Sequence, residues 1–433
     1  MKILIENTSI LTMNDKNELL EQQSIAIEDD KIVFIGEVPK DFQADKLIDG
    51  TDKVVMPGLI NAHTHIAMSL FRSYADELPL WEWLTEKIWP IEEKLTSEDV
   101  YWGSMLSIIE MLQSGITCFN DMYFFEEETA KAVAETGIRA RLARGLTGQD
   151  ASDNWKLSEN KKLYEHWHKK ADGRITVMFG PHAPYTCSPE YLLETIRVAE
   201  SLHVGMHIHL SESKKEVEDS FVKYGVSPVA QLEQLGLFEL PTIAAHGVHL
   251  SDEDMEILAK HQVSIVNNPG SNLKLGNGFA PVEKLLAKGV NVALGTDGSS
   301  SNNNLNMFEE INLAALINKG ANGNPLSIPA ITALAMATKN GAKALGLEAE
   351  IGTLEVGKKA DLIILDFKKP HLYPKYNIIS SLAYSVQASD VETVIINGKI
   401  VMEEREIKNI NVQQVLEKVQ SCAMRLINSQ NNK

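Results

Sequence analysis

At 433 residues, with 44% apolar and 23% charged positions, the chain has the make-up of a globular protein larger than one ordinary core. A formal net charge of −18 opposes a nucleic-acid or anionic-membrane partner, because phosphate-rich surfaces are met by basic faces. Cys118, Cys187 and Cys422 are too scattered for a disulfide framework, the first residues turn polar too early for a signal peptide, and no window of about eighteen apolar residues offers a membrane span, so a reducing cytoplasm is the expected setting.

Residues 2–37 read as strands, in which Ser24-Ile25-Ala26-Ile27-Glu28 and Lys31-Ile32-Val33-Phe34-Ile35 flank the turn pair Asp29-Asp30. An apolar strand over 54–60 follows and runs into Asn61-Ala62-His63-Thr64-His65. From there strand and helix alternate. Thr96 with Asp99 caps a helix that Gly115 stops. Further strands are expected over 116–120, 139–146, 175–179, 204–210, 242–245, 263–266 and 290–294. The helices that follow them are expected over 126–136, 155–170, 189–202, up to 235, 252–261, 282–288 and 305–318. Near the C-terminus, strands 360–365, 391–396 and 399–402 surround the hairpin signal Asn397-Gly398, and a helix ends the chain.

Eight strand–helix units predict an α/β fold, a parallel (β/α)8 barrel of the TIM type over 57–346. A doubly wound open sheet would instead want a glycine-rich phosphate turn where His63-Thr64-His65 stands. The strand-rich ends, 1–56 and 347–433, are expected to close one small β-sandwich, the second part carrying the terminal helix.

Residues i and i+2 of a strand share a face, so His63 and His65 project together. Functional groups of such a barrel sit at the C-terminal ends of its strands. Arg144 lies on the third strand, His182 ends the fourth, His207 and His209 lie on the fifth, His246 ends the sixth and Asp297 the eighth. Any one of these is as readily a core histidine or a capping aspartate; their convergence on one barrel mouth is not. Three imidazoles and a carboxylate suit zinc, with iron second, and a position left open for water. Zinc lowers the pKa of bound water from about 15.7 to about 7, a change of about 12 kcal/mol at about 1.36 per unit. Metal-assisted attack of water on an electrophilic carbon is the chemistry indicated. Of the fifth-strand pair, His209 lies nearer the mouth and is taken as the ligand, with His207 an inward structural residue. Glu212, three residues beyond His209, falls beside the metal-bound water.

Pro57-Gly58-Leu59-Ile60-Asn61-Ala62-His63-Thr64-His65, His209-Leu210-Ser211-Glu212, Ala245-His246-Gly247 and Gly295-Thr296-Asp297-Gly298 together resemble the amidohydrolase superfamily, over nearly the whole chain. Ile351-Gly352-Thr353-Leu354-Glu355-Val356-Gly357-Lys358-Lys359-Ala360-Asp361-Leu362 resembles the return strand into its small β-sandwich. His182, with no lysine there to carboxylate, implies the one-metal branch that includes purine and pyrimidine deaminases. By that resemblance His63, His65, His209 and Asp297 hold one zinc (or Fe2+) per subunit. Glu212 shuttles a proton to the ring nitrogen, His246 orients the attacking hydroxide, and Asp297 also accepts its proton. Leu80-Trp81-Glu82-Trp83-Leu84, Ile88-Trp89-Pro90-Ile91-Glu92, Asn268-Pro269-Gly270-Ser271-Asn272-Leu273-Lys274-Leu275 and Ser301-Asn302-Asn303 resemble the branch's deaminases of adenosine-type thioether nucleosides.

The expectation is therefore hydrolytic deamination of 5′-methylthioadenosine, S-adenosylhomocysteine or adenosine to the inosine analogue and ammonia. Glu92 would accept the ribose hydroxyls unless it belongs to a solvated helix face, and His182 would hold a ring nitrogen. Trp83 is an apolar wall or ordinary core, and Arg144 either fixes the substrate end or pairs with a neighbouring acid. The rivals are a guanine or cytosine deaminase, a triazine chlorohydrolase, and a non-catalytic scaffold. The zinc deaminases of nucleic acid need H-x-E with P-C-x-x-C, which the chain lacks. A homo-oligomer is left open.

Overall fold

The computed structural model describes residues 1–431. Its N-terminal strands are β1 (Lys2–Leu11), β2 (Leu19–Glu28), β3 (Lys31–Gly36), β4 (Lys46–Asp49) and β5 (Lys53–Pro57). The central strands are β6 (Leu59–Thr64), β7 (Ile116–Tyr123), β8 (Arg139–Leu146), β9 (Ile175–Val177), β10 (Gly180–Pro181), β11 (Met206–Leu210), β12 (Thr242–His246), β13 (Ser264–Asn267) and β14 (Val292–Leu294). β15 (Leu362–Asp366), β16 (Val391–Ile396), β17 (Lys399–Glu403) and β18 (Glu406–Ile407) follow.

The two chain ends meet in one mostly antiparallel, nine-stranded sheet of order β18-β17-β16-β15-β5-β1-β2-β3, with β4 also paired to β1. Its seam is β5 against β15, where Met56 lies opposite Ile363. Period-two alternation gives this sheet two buried faces. Val55, Leu362, Ile364 and Ile395 join Ile3, Ile5 and Ile25 in a core of the sheet's own. The intervening Val54, Met56, Ile363, Leu365, Val394 and Ile396 enter the large core shared with the barrel. Continuous apolar runs such as Leu362-Ile363-Ile364-Leu365 follow from burial on both sides.

The barrel is a ring of parallel strands. β6, β7 and β8 pair in turn, and β9 and β10 are two pieces of one strand beside β8. β11 to β14 form the other arc. The arcs join where His207 N–H donates to Phe179 O at 2.8 Å and His209 N–H to His182 O at 2.9 Å. They join again where Asp297 N–H donates to His63 O at 3.0 Å, beside a pair of bonds exchanged between Asn61 and Thr296. Eight strand positions thus close on themselves, as in a TIM-type barrel.

One expected strand is corrected. The run 54–60 is not a single strand but breaks at Pro57-Gly58, with β5 in the outer sheet and β6 opening the barrel. Gly58 N–H donates to Asp361 O at 3.1 Å, and a Cβ there would stand 2.1 Å from Thr117 Oγ1. Only glycine fits that crossing between layers. Arg139 and Asp361 lock the same junction with two hydrogen bonds of 2.8 and 3.0 Å, and Asn397 N–H adds a third to Asp361 at 2.8 Å.

The helix Ser97–Gln113 begins at the expected Thr96–Asp99 capping box. The C-terminal helix Val412–Asn431 packs on it, with Arg425 paired to Asp99. Leu80–Glu82, Trp83–Ile88 and Trp89–Glu92 form a continuous roof whose middle turn is widened to the π type. The short helices Pro269–Lys274 and Ser299–Asn302, at the barrel mouth, were not anticipated. Among the described residues no helix is long and apolar enough to cross a membrane.

Candidate active site

His63 and His65 leave the end of β6 toward Asp297 at the end of β14, their Nε2 atoms 3.4 and 3.3 Å from the same Oδ1. His209 arrives from β11, its Nε2 3.1 Å from His65 Nε2. The remote nitrogens explain this approach. His65 Nδ1 bonds Met122 O at 2.6 Å and His209 Nδ1 bonds His182 O at 2.7 Å. Carbonyls only accept, so both Nδ1 atoms carry the proton and both Nε2 atoms are bare lone pairs. Two such lone pairs at 3.1 Å repel unless a cation lies between them.

His63 Nε2 is likewise buried with no hydrogen-bond partner. Its Nδ1 stands 2.8 Å from His207 Nε2, and Asn120 Nδ2 lies 3.1 Å from His207 Nδ1. His207 orients His63 from behind, as the outer partners of metal-binding histidines do. Burial pushes His63 down to about 4 and holds His207 and His209 well below the usual histidine range. Neutral imidazole is the form that binds metal.

Asp297 stands at φ 62°, a left-handed conformation that turns its carboxyl into the mouth. Its Oδ2 accepts from Ser271 Oγ at 2.7 Å and Ser301 Oγ at 2.8 Å, and Oδ1 from Gly298 N–H at 2.8 Å. Burial opposes its charge, and the hydroxyl and N–H donors on its two oxygens favour it. His63, His65 and Asp297 bring ligand atoms within 4.8 Å of one another, as do His63, His209 and His246, and donors of these types suit one small divalent cation.

His246 ends β12 at φ 76°, its Nδ1 2.9 Å from Asn272 Oδ1 and its Nε2 3.8 Å from Glu212 Oε2. Burial lowers its pKa, yet Glu212 and Asp297 turn the balance and raise it. Glu212 itself is raised, chiefly by burial, and its Oε1 accepts from Asn277 Nδ2 at 2.9 Å. A buried carboxyl beside a histidine is placed to exchange protons with a bound molecule.

These groups border one cavity. His65, His182, His209, Glu212, His246 and Asp297 form its floor, and Leu80, Trp83, Leu84, Ile88, Trp89 and Glu92 its roof. Glu92 accepts from Tyr123 OH at 2.7 Å, and burial pushes its pKa up to about 7. His182 Nδ1 lies 3.0 Å from Thr186 Oγ1, and burial lowers its pKa to about 3. Every candidate from the sequence except one is therefore brought together. Arg144 does not line the cavity: its guanidinium pairs with Glu159 at 2.9 Å and lies over Phe124 and Trp155 at 5.2 and 5.3 Å. The neighbouring acid, fifteen residues on along the next helix, has claimed it.

Sequence reasoning missed Glu216. Both of its oxygens accept backbone N–H groups at 2.8 Å, from Ser211 and from Glu212. Ser213-Lys214-Lys215-Glu216 has the S-x-x-E spacing of a capping box, in which the glutamate would reach Ser213 N–H. Here it reaches past Ser213 and clamps the backbone of the proton donor. Tyr123, Ser271 and Asn277 were missed as well; the last two sit in or beside a stretch noted only for its resemblance.

The amidohydrolase family model matches residues 54–401. The chain is 59% identical to a 5-methylthioadenosine/S-adenosylhomocysteine deaminase of Thermoanaerobacter pseudethanolicus over 429 residues, covering 99% of this chain and 100% of the relative. It is similar to the crystal structure of an adenosine deaminase from Xanthomonas campestris with bound zinc, with a TM-score of 0.94, 35% identity and 98% of each chain covered. It shares its fold with the zinc complex of an atrazine chlorohydrolase from Arthrobacter aurescens TC1, with a TM-score of 0.91, 24% identity, and 97% and 100% of the chains covered. The histidines at the strand ends and these matches agree, and the chain belongs to the amidohydrolase family.

Proposed function

We propose that this amidohydrolase deaminates adenosine-type thioether nucleosides, 5′-methylthioadenosine and S-adenosylhomocysteine, and adenosine with them. Water replaces the amine at C6 of the purine: a C–O bond forms, the C–N bond breaks, and the inosine analogue and ammonia leave. One observation carries the reading. Glu212, His246 and Asp297 border the same cavity as Glu92 and an apolar roof, which sets proton-transfer groups, a hydroxyl acceptor and an apolar wall around one bound molecule. Relatives at 59% and 51% identity that bear this activity in their names support it.

His63, His65, His209 and Asp297 would hold one zinc ion per subunit, with iron(II) the second fit for such donors. The bound ion supplies a water acidic enough to ionise near pH 7. Asp297 would take a proton from the attacking water, which His246 orients. Glu212 protonates ring N1, takes over the proton held by Asp297 and passes it to the departing amine, and recovers the hydroxyl proton as the C6 carbonyl forms. His182 holds a second ring nitrogen, Trp83 is an apolar wall, and Glu92 takes the ribose hydroxyls while Tyr123 steadies its carboxyl. Arg144, engaged by Glu159, has no part. The reading takes 57–346 as the catalytic barrel, and 1–56 with 347–433 as a small β-sandwich bracing it. It assigns the enzyme to the cytoplasm, which its free, buried cysteines suit.

The test is Glu212→Gln, expected to lose at least about 10²-fold in turnover with its metal retained. Normal deamination by that variant removes Glu212 as the acid. A panel of nucleosides, guanine, cytosine and chlorotriazines, assayed for ammonia and chloride, separates the rivals. Chloride release without nucleoside deamination would make the chain a dechlorinase, and inertness across the panel a scaffold.

A further inference from the structure

The stretch that follows β13 supplies no group to the proposed reaction, yet it touches three that do. Ser271 Oγ donates to Asp297 Oδ2 at 2.7 Å, Asn272 Oδ1 accepts from His246 Nδ1 at 2.9 Å, and Asn277 Nδ2 donates to Glu212 Oε1 at 2.9 Å. The stretch is itself held firmly. Asn277 N–H donates to Asn272 O at 2.9 Å, Asn277 O lies 2.8 Å from His249 Nε2, and Gly270 N–H donates to Glu310 Oε2 at 3.0 Å. A Cβ on Gly270 would stand 2.6 Å from Glu310 Oε1, so the backbone is drawn against that buried carboxyl.

We propose that Asn277 is a positioning residue that fixes which oxygen of Glu212 carries the transferred proton. A carboxylic acid has two equivalent oxygens, and a proton shuttle works only from the one that faces the reacting atoms. Here the two are made different. Oε1 is taken by the Asn277 amide N–H, while Oε2 lies 3.8 Å from His246 Nε2 on the floor of the cavity. The carbonyl oxygen of a carboxylic acid is a much better acceptor than its hydroxyl oxygen, so the Asn277 N–H on Oε1 favours the proton on Oε2. An amide turned the other way would set a carbonyl against Oε1, and would leave Glu212 facing an acceptor at the stage when it is ionised. The N–H therefore faces Glu212 throughout the cycle.

This rests on the reading of Glu212 as proton shuttle, and the experiment keeps the two apart. Asn277→Asp preserves shape but replaces the donor by an acceptor, which draws the Glu212 proton to Oε1. Asn277→Ala removes the donor and leaves the backbone bonds of residue 277 in place. Both are assayed as metal-loaded protein for kcat, KM, affinity for the deaminated product, metal content and thermal midpoint. The infrared C=O band of the protonated Glu212 carboxyl, identified by its loss in Glu212→Gln, is recorded alongside. The expected result for Asn277→Asp is a kcat lower by about 10²-fold, the scale of one general acid, with KM and product affinity within about 3-fold and full metal. Asn277→Ala should lose about 10-fold and move the C=O band upward, because the carbonyl oxygen no longer accepts an N–H. A wild-type kcat in Asn277→Asp, an effect confined to KM, or an unmoved band in Asn277→Ala overturns the proposal. A wild-type protein inert toward every nucleoside would sink the deaminase reading instead, and the infrared band would still decide the role of Asn277.

Discussion

Replacing Glu216 with glutamine separates what this carboxyl does for the fold from what it does for Glu212. The side chain is 3% exposed and takes two N–H bonds of 2.8 Å. Burial, the largest influence, pushes its pKa from 4.5 to about 7, against those two bonds and with some help from the Glu212 charge. The folded value exceeds the unfolded one, so between about 4.5 and 7 the unfolded chain has already released a proton that the folded chain keeps. Stability contributed by this group therefore falls as pH rises through that window, and the whole loss is present above about 7. A rise of about 2.5 units (7 − 4.5) corresponds to about 3 kcal/mol. Glutamine has the shape of the neutral acid and does not titrate. The Gln variant should be less stable than wild type near pH 4.5 by the about 1–3 kcal/mol of the bond it cannot make, and it should regain up to about 3 kcal/mol relative to wild type as pH rises past 7. Turnover should fall at every pH. An amide offers one acceptor oxygen and sets its NH2 against the second N–H, so the turn at Ser211, with φ 51°, loses one of its two ties. An unmade buried bond of about 1–3 kcal/mol, felt in the transition state, slows turnover about 5- to 150-fold. Denaturation midpoints from pH 4.5 to 9, with ammonia release measured on the same samples, test both halves. A difference between variant and wild type that stays constant from pH 4.5 to 9 would refute the raised pKa, and an unchanged kcat would refute the clamp.

Arg139→Met strands the buried Asp361 charge between barrel and sheet and should cost about 3–5 kcal/mol in unfolding free energy. Adding Asp361→Asn should recover part of it, because the charge goes while Asn397 N–H keeps an acceptor. Glu92→Gln should raise KM about 10-fold with kcat nearly unchanged, the loss of one charged hydrogen bond to substrate. In the wild type KM should climb as pH falls through about 7, where burial brings a proton onto Glu92, and the variant's KM should be flat across that range. Chelation should abolish turnover and lower the thermal midpoint, and added zinc should restore both. The apposed His65 and His209 nitrogens at 3.1 Å lose the cation that reconciles them.

The barrel was legible because buried parallel strands are continuous apolar runs, and the polar residues ending those runs stand out by contrast. The break at Pro57-Gly58 was hidden for the same reason: β5 and β6 are both apolar and buried, so no change of period marks the passage from sheet to barrel. Arg144 was ambiguous on grounds of distance. Its partner Glu159 lies on the next helix, and whether that helix face turns toward the cavity or away from it is a matter of packing that local pattern does not carry.

Ligands and positioning residues differ in how they announce themselves. A metal ligand is a chemically rare type at a place the backbone dictates, so His63 and His65 at period two, with His209 and Asp297 at other strand ends, point to a common centre before any coordinates exist. The groups that aim Asp297, His246 and Glu212 are Ser271, Asn272, Asn277 and Glu216, types that ordinarily cap helices and make turns. Such types are common in turns and at helix starts, so nothing in the local sequence signals a second task. What separates Glu216 from a cap is only which N–H it reaches, Ser211 and Glu212 in place of Ser213, a displacement of one or two residues. Such a shift appears when the helix Lys214–Tyr224 is docked against the end of β11, and that docking is decided by the whole barrel. Proton placement at this site is therefore a property of the closed ring, and a substitution that slides that helix should slow turnover even where every ligand and every acid is intact.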